Sequence, residues 1–373
     1  MSTITLEMIA KLSNVSRGAV SLVLRDPTHP RFSKGTRERI LKVARDLDYV
    51  PNRIASGLRR GMSRIIGLVV PWNTPELLDT AELEAKRLGF GMMIQFTQNL
   101  DTVAERRALN DALESRVDGL IWLPSDPSSD YKSLVQKIRS TNTHVVLLES
   151  PVRSIAEADL VEIDYGDTMR TVLSGFLATG YQKIVYVTRG LSHPLRHLRA
   201  VMFNEFAREN GVDSELLAFD RSSGLEPLRR CCQGQKTAFF CDSDWFAVDV
   251  AEMARSNKIL IPSDIGIVAL GDMLVGGSYR VCELSTPSFS AIRRPSGDMA
   301  ALAVRLLTER IAGERSGQGE IVRLPTVFVQ RESSLPFPVK DPMGVGASQV
   351  SGAEDTSVEE LRHKQPTNNP SPL

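Results

Sequence analysis

Apolar residues recur at helical spacing near the start of the chain and gather into short buried-strand runs after it. In NVSRGAVSLVLRD, residues 14–26, Val15, Ala19, Val20, Val23 and Leu24 fall within about half of a helical wheel at about 100° per residue. Arg17, Gly18, Ser21, Leu22 and Arg25 fill the other half. The first set is a core stripe, and the second is basic and polar apart from one leucine. Upstream, residues 3–12 read as a helix with Thr5 as N-cap and Leu6, Ile9, Ala10 and Leu12 at helical spacing. Ser16 is placed to cap the second helix. A helix of about seven residues, a short turn and a second helix form the helix-turn-helix pattern. RDPTHPRFSKG then reads as a loop from its two prolines, and Ser33 caps a third helix over 36–47 with Ile40, Leu41, Ala44 and Leu47 inward.

YVPNRIASGLRRG follows, with Pro51 fitting a helix start and Gly61 its end. It carries Arg53, Arg59 and Arg60, has little apolar face, and is weakened by Gly57, at about 1 kcal/mol relative to alanine. Such a segment is mostly unfolded alone and folds on meeting a partner. From Ile65 the pattern changes to apolar runs alternating with helical stretches. RIIGLVVP, GFGMMIQF, VDGLIWLP and HVVLLES form one series, and KIVYVT, TAFFC and IGIVAL a second. Helices are expected to about Leu88 and over 102–115 and 130–140 in the first series, and over 197–210, 245–257 and 296–312 in the second, with IVRLPTVFVQRESS as a final strand. The alternation predicts parallel sheets, the two series predict two lobes, and ligand chemistry belongs in the cleft at the strand ends.

Charge changes this picture more than composition does. The formal net charge of the 373 residues is zero. Residues 1–64, however, hold thirteen Lys and Arg against five Asp and Glu, a net +8, so the remainder carries −8. A basic end on an acidic body points to nucleic acid rather than to a membrane. The start shows no secretory signal, and the six apolar residues Ile65 to Val70 are too few to span a bilayer. Four cysteines make no disulfide scaffold in a chain of this length, and a reduced cytoplasm is the expected compartment. Residues from 336 on are rich in Pro, Ser, Gly and Asn, the composition of a disordered tail.

In order, TLEMIAKLSNVSRGAVSLVL, TRERIL, LDYVPNRIASGLRRG, IIGLVVP and the closing VRLPTVFVQRESS resemble the lactose-repressor (LacI/GalR) family of bacterial transcription regulators, over residues 4 to about 334. The resemblance implies a small all-α helix-turn-helix head (1–50), a hinge helix (51–62), an α/β two-lobed periplasmic-binding-protein-like core (63–335) and a tail (336–373). It further implies a homodimer on a pseudo-palindromic operator, a two-fold protein reading a two-fold site. On the family pattern Ser16 opens the recognition helix, and Arg17, Gly18 and Leu22 face base edges. Arg17 suits guanine O6 and N7, and Leu22 suits a thymine methyl or the groove wall, or else packs on the loop 26–32. Thr5, Leu6, Ser21, Arg25 and Ser33 fall to the same DNA face, with the hydroxyl and basic side chains as phosphate contacts. The resemblance makes Asn52, Arg53, Ala55 and Leu58 the hinge contacts, with Leu58 as the wedge pushed into the central base step, a role compatible with packing in the dimer.

The resemblance carries over less evenly in the core. Glu149, Arg199 and Asp272 correspond to polar anchors of a small ligand, Ser243 stands at an asparagine position, and Trp72, Trp245 and Phe289 are the candidate stacking walls. Gly271 replaces the first of two aspartates. Carboxylates, an arginine and aromatic faces suit a sugar or sugar derivative, and the bland alternative is salt bridges across a closed cleft. Enzyme readings fail at this stage. Ser129–Lys132 gives Ser-x-x-Lys without its companion motifs, His193 and His197 lack a third metal ligand, and Cys231 and Cys232 are adjacent. The expectation is a sequence-specific DNA-binding regulator, a repressor, modulated by a small and possibly carbohydrate ligand, with no cofactor, metal or membrane partner. The alternatives are an effector-independent DNA-binding regulator and a solute-binding protein.

Overall fold

The computed structural model describes residues 4–49, 62–72, 74–97, 101–124, 131–150, 155–191, 194–232 and 234–337. The hinge residues Asn52, Arg53, Ala55 and Leu58 and the tail from 338 lie outside the described residues.

Three helices make the head: α1 (Leu6–Leu12), α2 (Arg17–Arg25) and α3 (Lys34–Asp46). Each starts on a hydroxyl side chain. Thr5 Oγ1 accepts from the Met8 amide at 3.4 Å, Ser16 Oγ from Ala19 at 3.2 Å and Ser33 Oγ from Thr36 at 3.3 Å. These amides have no partner inside their helices, and each cap is worth about 1 kcal/mol. In the turn, Asn14 takes the left-handed region at φ 52°, which asparagine tolerates. Arg39 clamps that turn by donating Nε to the Ser13 carbonyl at 2.9 Å. Ile9, Ala10, Val20, Val23, Ile40 and Ala44 close the head core. Leu12 departs from expectation and is 62% exposed. Ser13, four residues after Ile9, takes the inward position instead, and Leu12 lies about 100° round the helix from Ser13.

Beyond the head come β1 (Ile65–Val70), α4 (Pro75–Arg87), β2 (Gly91–Phe96), α5 (Thr102–Glu114), β3 (Gly119–Trp122), α6 (Lys132–Thr141), β4 (His144–Leu148) and β5 (Asp159–Asp164). The chain continues through α7 (Gly166–Ala178), β6 (Lys183–Thr188), α8 (Pro194–Asn210), β7 (Asp213–Ala218), α9 (Glu226–Cys231), β8 (Thr237–Cys241), α10 (Asp244–Ser256) and β9 (Ile265–Gly271). A hairpin of β10 (Leu274–Val275) and β11 (Tyr279–Arg280) leads through α11 (Val281–Leu284) to β12 (Ser290–Arg293), α12 (Ser296–Ala312), β13 (Ile321–Pro325) and β14 (Val327–Val329).

Two six-stranded sheets result, in the orders β13-β5-β4-β3-β1-β2 and β14-β12-β9-β8-β6-β7. The first is parallel throughout. The second is parallel except for β14, which runs against β12. Two expectations are corrected here. The final segment is two strands, β13 in the first sheet and β14 in the second. Helix 296–312 returns to the first lobe, where α12 packs on α4 and on the faces of β3 and β4. The chain therefore crosses between lobes three times, at Tyr165, at Arg294–Pro295 and at Thr326. The crossings are tied to one another: Thr168 Oγ1 donates to the Thr326 carbonyl and Thr326 Oγ1 to the Asp164 carbonyl, each at 3.2 Å. One buried apolar cluster runs through both lobes, from Ile66 and Val146 to Tyr186 and Val268.

Candidate functional site

The second helix of the head presents the face its sequence foretold. Arg17, Gly18, Ser21 and Arg25 are exposed, while Ala19, Val20 and Val23 are buried. Arg17 reaches back to α1 and pairs with Glu7 at 3.3 Å, with both side chains more than half exposed. An ion pair so open adds little stability, but it holds the guanidinium at the helix start. Leu22 is half-buried rather than bare, and it is not a member of the head's apolar cluster among the described residues. Leu6 is corrected: its side chain packs against that cluster, so it supports the head from within. Thr5, Ser16 and Ser33 are exposed, and their oxygens already serve the three caps.

Where the lobes meet, Glu149 and Arg199 join one buried network. Glu149 follows β4 in left-handed backbone at φ 42°, a strained conformation for a residue with a Cβ. Its Oε1 accepts from the Tyr165 hydroxyl at 2.7 Å, and its Oε2 pairs with Arg294. Tyr165 and Arg294 both sit on lobe crossings, so this carboxylate binds the connections themselves. The Arg199 guanidinium lies 5.2 Å above the Tyr165 ring, and its Nε is 2.9 Å from Asp242 Oδ1. Asp242 also accepts from the Tyr186 hydroxyl at 2.8 Å and from Thr188 at 3.2 Å, with Arg196 Nε at 3.6 Å. Burial works to lower the Arg199 guanidinium, but Asp242, Tyr165, Tyr186 and Glu149 outweigh it and hold the group well above its ordinary range. At Arg196 burial and the like charges of Arg199 and Arg189 prevail over Asp242, and the group is lowered. Burial raises the Tyr165 and Tyr186 hydroxyls, so both remain donors.

The other cleft candidates divide. Asp272 is corrected as a ligand anchor. Its buried carboxylate is held by Arg293 at 2.8 Å and by Arg331 at 3.0 Å, while Arg280 donates to its carbonyl at 2.6 Å. Phe289 is corrected as a stacking wall, being buried in the second lobe's core beside Cys282 and Ala291. Ser243 caps α10 by accepting from the Trp245 amide at 3.3 Å. Trp245, the second residue of that helix, is 57% exposed, and Trp72 is half-buried against the interlobe cluster. Gly271 has a physical reason. The Asp244 carboxylate accepts from the Asp272 and Met273 amides at 2.9 and 2.6 Å, and a Cβ on Gly271 would meet it at 2.8 Å. An open recess of about 380 Å³, lined by Gln95, Phe96, Asp101 and Arg107, lies beside edge strand β2 and away from this network.

Sequence reasoning missed Tyr165, Asp242, Arg196, Tyr186 and Arg294. Tyr165 and Arg294 follow β5 and β12, which were not read as strands. Asp242 directly follows the apolar run TAFFC, and that position at a strand's carboxyl end was the available signal. Among the alternative chemistries, Ser129 and His193 lie outside the described residues. Burial pushes the Cys231 thiol up to about 12, with Glu215 adding to it, and the Cys232 thiol up to about 11, so neither is a thiolate at neutral pH. No three His, Cys, Asp or Glu side chains gather as metal ligands among the described residues. No described helix is long and apolar enough to cross a membrane.

Comparison with known proteins adds to this geometry. Residues 5–52 match the family described as bacterial regulatory proteins, lacI family, and residues 174–334 match the periplasmic binding protein-like domain. Catabolite control protein A of Priestia megaterium is 25% identical over 344 residues, covering 89% of this chain and 99% of its own. The HTH-type transcriptional repressor PurR of Vibrio vulnificus is 24% identical over 327 residues, covering 82% and 92%. The crystal structure of the lac repressor dimer bound to operator and the anti-inducer ONPF superposes with a TM-score of 0.73 at 20% identity, covering 90% of this chain and 100% of that one. A CelR–cellobiose complex superposes at 0.62 and 23% identity, covering 89% and 100%.

Proposed function

We infer that this chain is a lacI-family regulatory protein and that it represses transcription as a homodimer whose grip on a pseudo-palindromic operator is set by a small ligand between the lobes. The observation that carries this reading is the capped and packed head at the basic end of the chain, with Arg17, Gly18, Ser21 and Arg25 on one exposed face of α2. Residues 1–50 bind DNA, 51–62 form the hinge with Leu58 as its wedge, 63–335 dimerise and bind ligand, and 336–373 are a tail. Exposed Ile94 and Phe96 on edge strand β2 offer apolar surface to a second copy, and the lac repressor, a structural neighbour, is a dimer on its operator. Glu149, Arg199, Tyr165 and Arg294 line the ligand site, because a group bound there touches the crossings on which lobe motion turns. The cellobiose complex of CelR supports a carbohydrate-like ligand.

Selecting DNA with the purified protein tests this, with two inverted half-sites as the expected product; recovery of no preferred sequence would end the reading. The same experiment with Leu22→Arg examines base readout. A half-buried leucine outside the head core offers a thymine methyl an apolar contact, whereas arginine offers guanine two hydrogen bonds. We expect the preference to move towards guanine at one symmetric position per half-site, by about 1–3 kcal/mol. If the head unfolds, Leu22 is a core residue. If every position keeps its preference, Leu22 takes no part in readout.

A further inference from the structure

The interlobe network is unevenly charged. Among the described residues it gathers three guanidinium groups, Arg196, Arg199 and Arg294, around two carboxylates, Glu149 and Asp242. The flanking carboxylates are engaged elsewhere: Asp164 accepts from the Gly166 amide at 2.9 Å and Asp244 from the Asp272 and Met273 amides. The deficit extends to hydrogen bonds. The Nε atoms of Arg199 and Arg294 are both buried without a hydrogen-bond partner, and the 2.9 Å approach of Arg199 to Asp242 is an ion pair whose N–H does not point at the oxygen. The Arg199 side chain is 8% exposed. A buried N–H left without an acceptor costs the desolvation of that group, and more where the group is charged. At Arg196 burial is the main lowering influence, and the like charges of Arg199 and Arg189 add to it against Asp242.

We propose that the ligand of this site carries an oxyanion, a carboxylate or a phosphate on a small sugar-like body, which Arg199 and Arg294 hold and Arg196 helps to neutralise. The proposal rests on the reading of the interlobe site as the ligand site and narrows it. A neutral polyol could accept from the two Nε groups, but it would leave the excess charge in place. A carboxylate or phosphate supplies both acceptors and charge, and the planar guanidinium matches its oxygens in pairs. Two of the arginines approach from the second lobe and Arg294 from a crossing, so an anion among them holds the lobes together through groups that Glu149 and Asp242 only partly satisfy.

The test uses the full chain. Thermal unfolding is followed while inorganic phosphate replaces chloride at constant ionic strength. Titration calorimetry then compares glucose, glucuronate and glucose 6-phosphate. We expect saturable stabilisation by phosphate, about 3 °C at about ten times its half-saturating concentration. Glucuronate or glucose 6-phosphate should bind about tenfold or more tightly than glucose, and whichever binds better identifies the oxyanion. Arg294→Gln should abolish the phosphate response. Arg196→Gln, at the more open edge, should weaken it while the fold persists, and Arg323→Gln, in an exposed pair with Glu162, should leave it unchanged. Absence of a saturable response, an equal response in the Arg196 and Arg323 variants, or glucose binding as well as the anions would each overturn the proposal. The two readings can fail separately. A neutral sugar that binds and changes operator affinity keeps the ligand site and sinks the anion. An anion lost in the Arg196 and Arg294 variants but without effect on operator affinity keeps the anion and sinks its regulatory role.

Discussion

A chain beginning at Met62 is expected to lose operator binding by about 10³-fold or more, the usual gap between specific and non-specific sites. The cut is placed by structure. The Ser63 and Arg64 amides each donate to the Asp118 carboxylate at 2.7 Å, so starting at Met62 keeps the anchor of β1 intact. What is lost is the whole recognition helix and most of the basic charge of the first 64 residues. What remains is acidic and repels a phosphate backbone. In the full chain, affinity should fall steeply with salt, because each neutralised phosphate releases counterions; six to ten such contacts correspond to about 10³–10⁵-fold between 50 and 200 mM. Gel shift and fluorescence anisotropy over a salt series measure both effects. Retention of operator affinity by the shortened chain would overturn the assignment of DNA binding to the head.

Replacing Arg310 with methionine should be the most damaging single change in the core. Arg310 of α12 meets Asp159 of β5 through two bonds, Nε to Oδ2 at 2.6 Å and Nη2 to Oδ1 at 2.8 Å, with both side chains buried. Arg310 also donates to the Gly317 and Gln318 carbonyls at 3.2 and 3.3 Å, and Asp159 accepts from the Glu320 amide at 2.9 Å. One pair thus fixes a strand, a helix and the approach to β13. Methionine leaves the carboxylate buried with one amide and the more distant Arg315, and breaking such a pair typically removes about 3–5 kcal/mol. For a core of this size that lowers the melting temperature by about 10 °C. The pH dependence has a definite sign. Burial works to raise Asp159, but Arg310 and the Glu320 amide hold it below the usual carboxylate range. The pair's contribution is therefore full above the unfolded carboxyl value, about 3.9, and fades as pH falls through the lower folded value. In Arg310→Met the carboxyl rises, so the stability gap to the parent should narrow on acidification. A gap that does not change between pH 7 and about pH 3 would contradict this account.

Local features were legible in the sequence, and distant partnerships were not. The three caps, the buried stripe of α2 and strands such as Lys183–Thr188 and Thr237–Cys241 depend on neighbours within a few residues. The strand DLVEID was missed because its charges break the apolar run. Those charges are answered far away: Asp159 by Arg310, and Glu162 by Arg323 across the ladder to β13 at 3.2 Å. The exposed face of α2 proposed to meet DNA lies on a single helix and could be read from one wheel. The interlobe site joins Glu149 to Arg294, 145 positions apart, and no periodicity connects them. Likewise, Arg331 was seen only as part of a motif until the fold set it against Asp272.

The three crossings also impose an order on how the protein is made. The head is complete within the first fifty residues and can fold while the rest is still being synthesised. The first lobe cannot. Its sheet lacks an edge until β13, Ile321–Pro325, arrives, and its covering helix α12 ends only at Ala312. Until then β5 has a bare edge and β3 and β4 an uncovered apolar face, the surfaces on which nascent chains aggregate. The second lobe waits for β14 a few residues later. Both lobes thus mature together at the end of translation, and a ribosome that stops near residue 290 releases a finished DNA-binding head attached to two unfinished lobes.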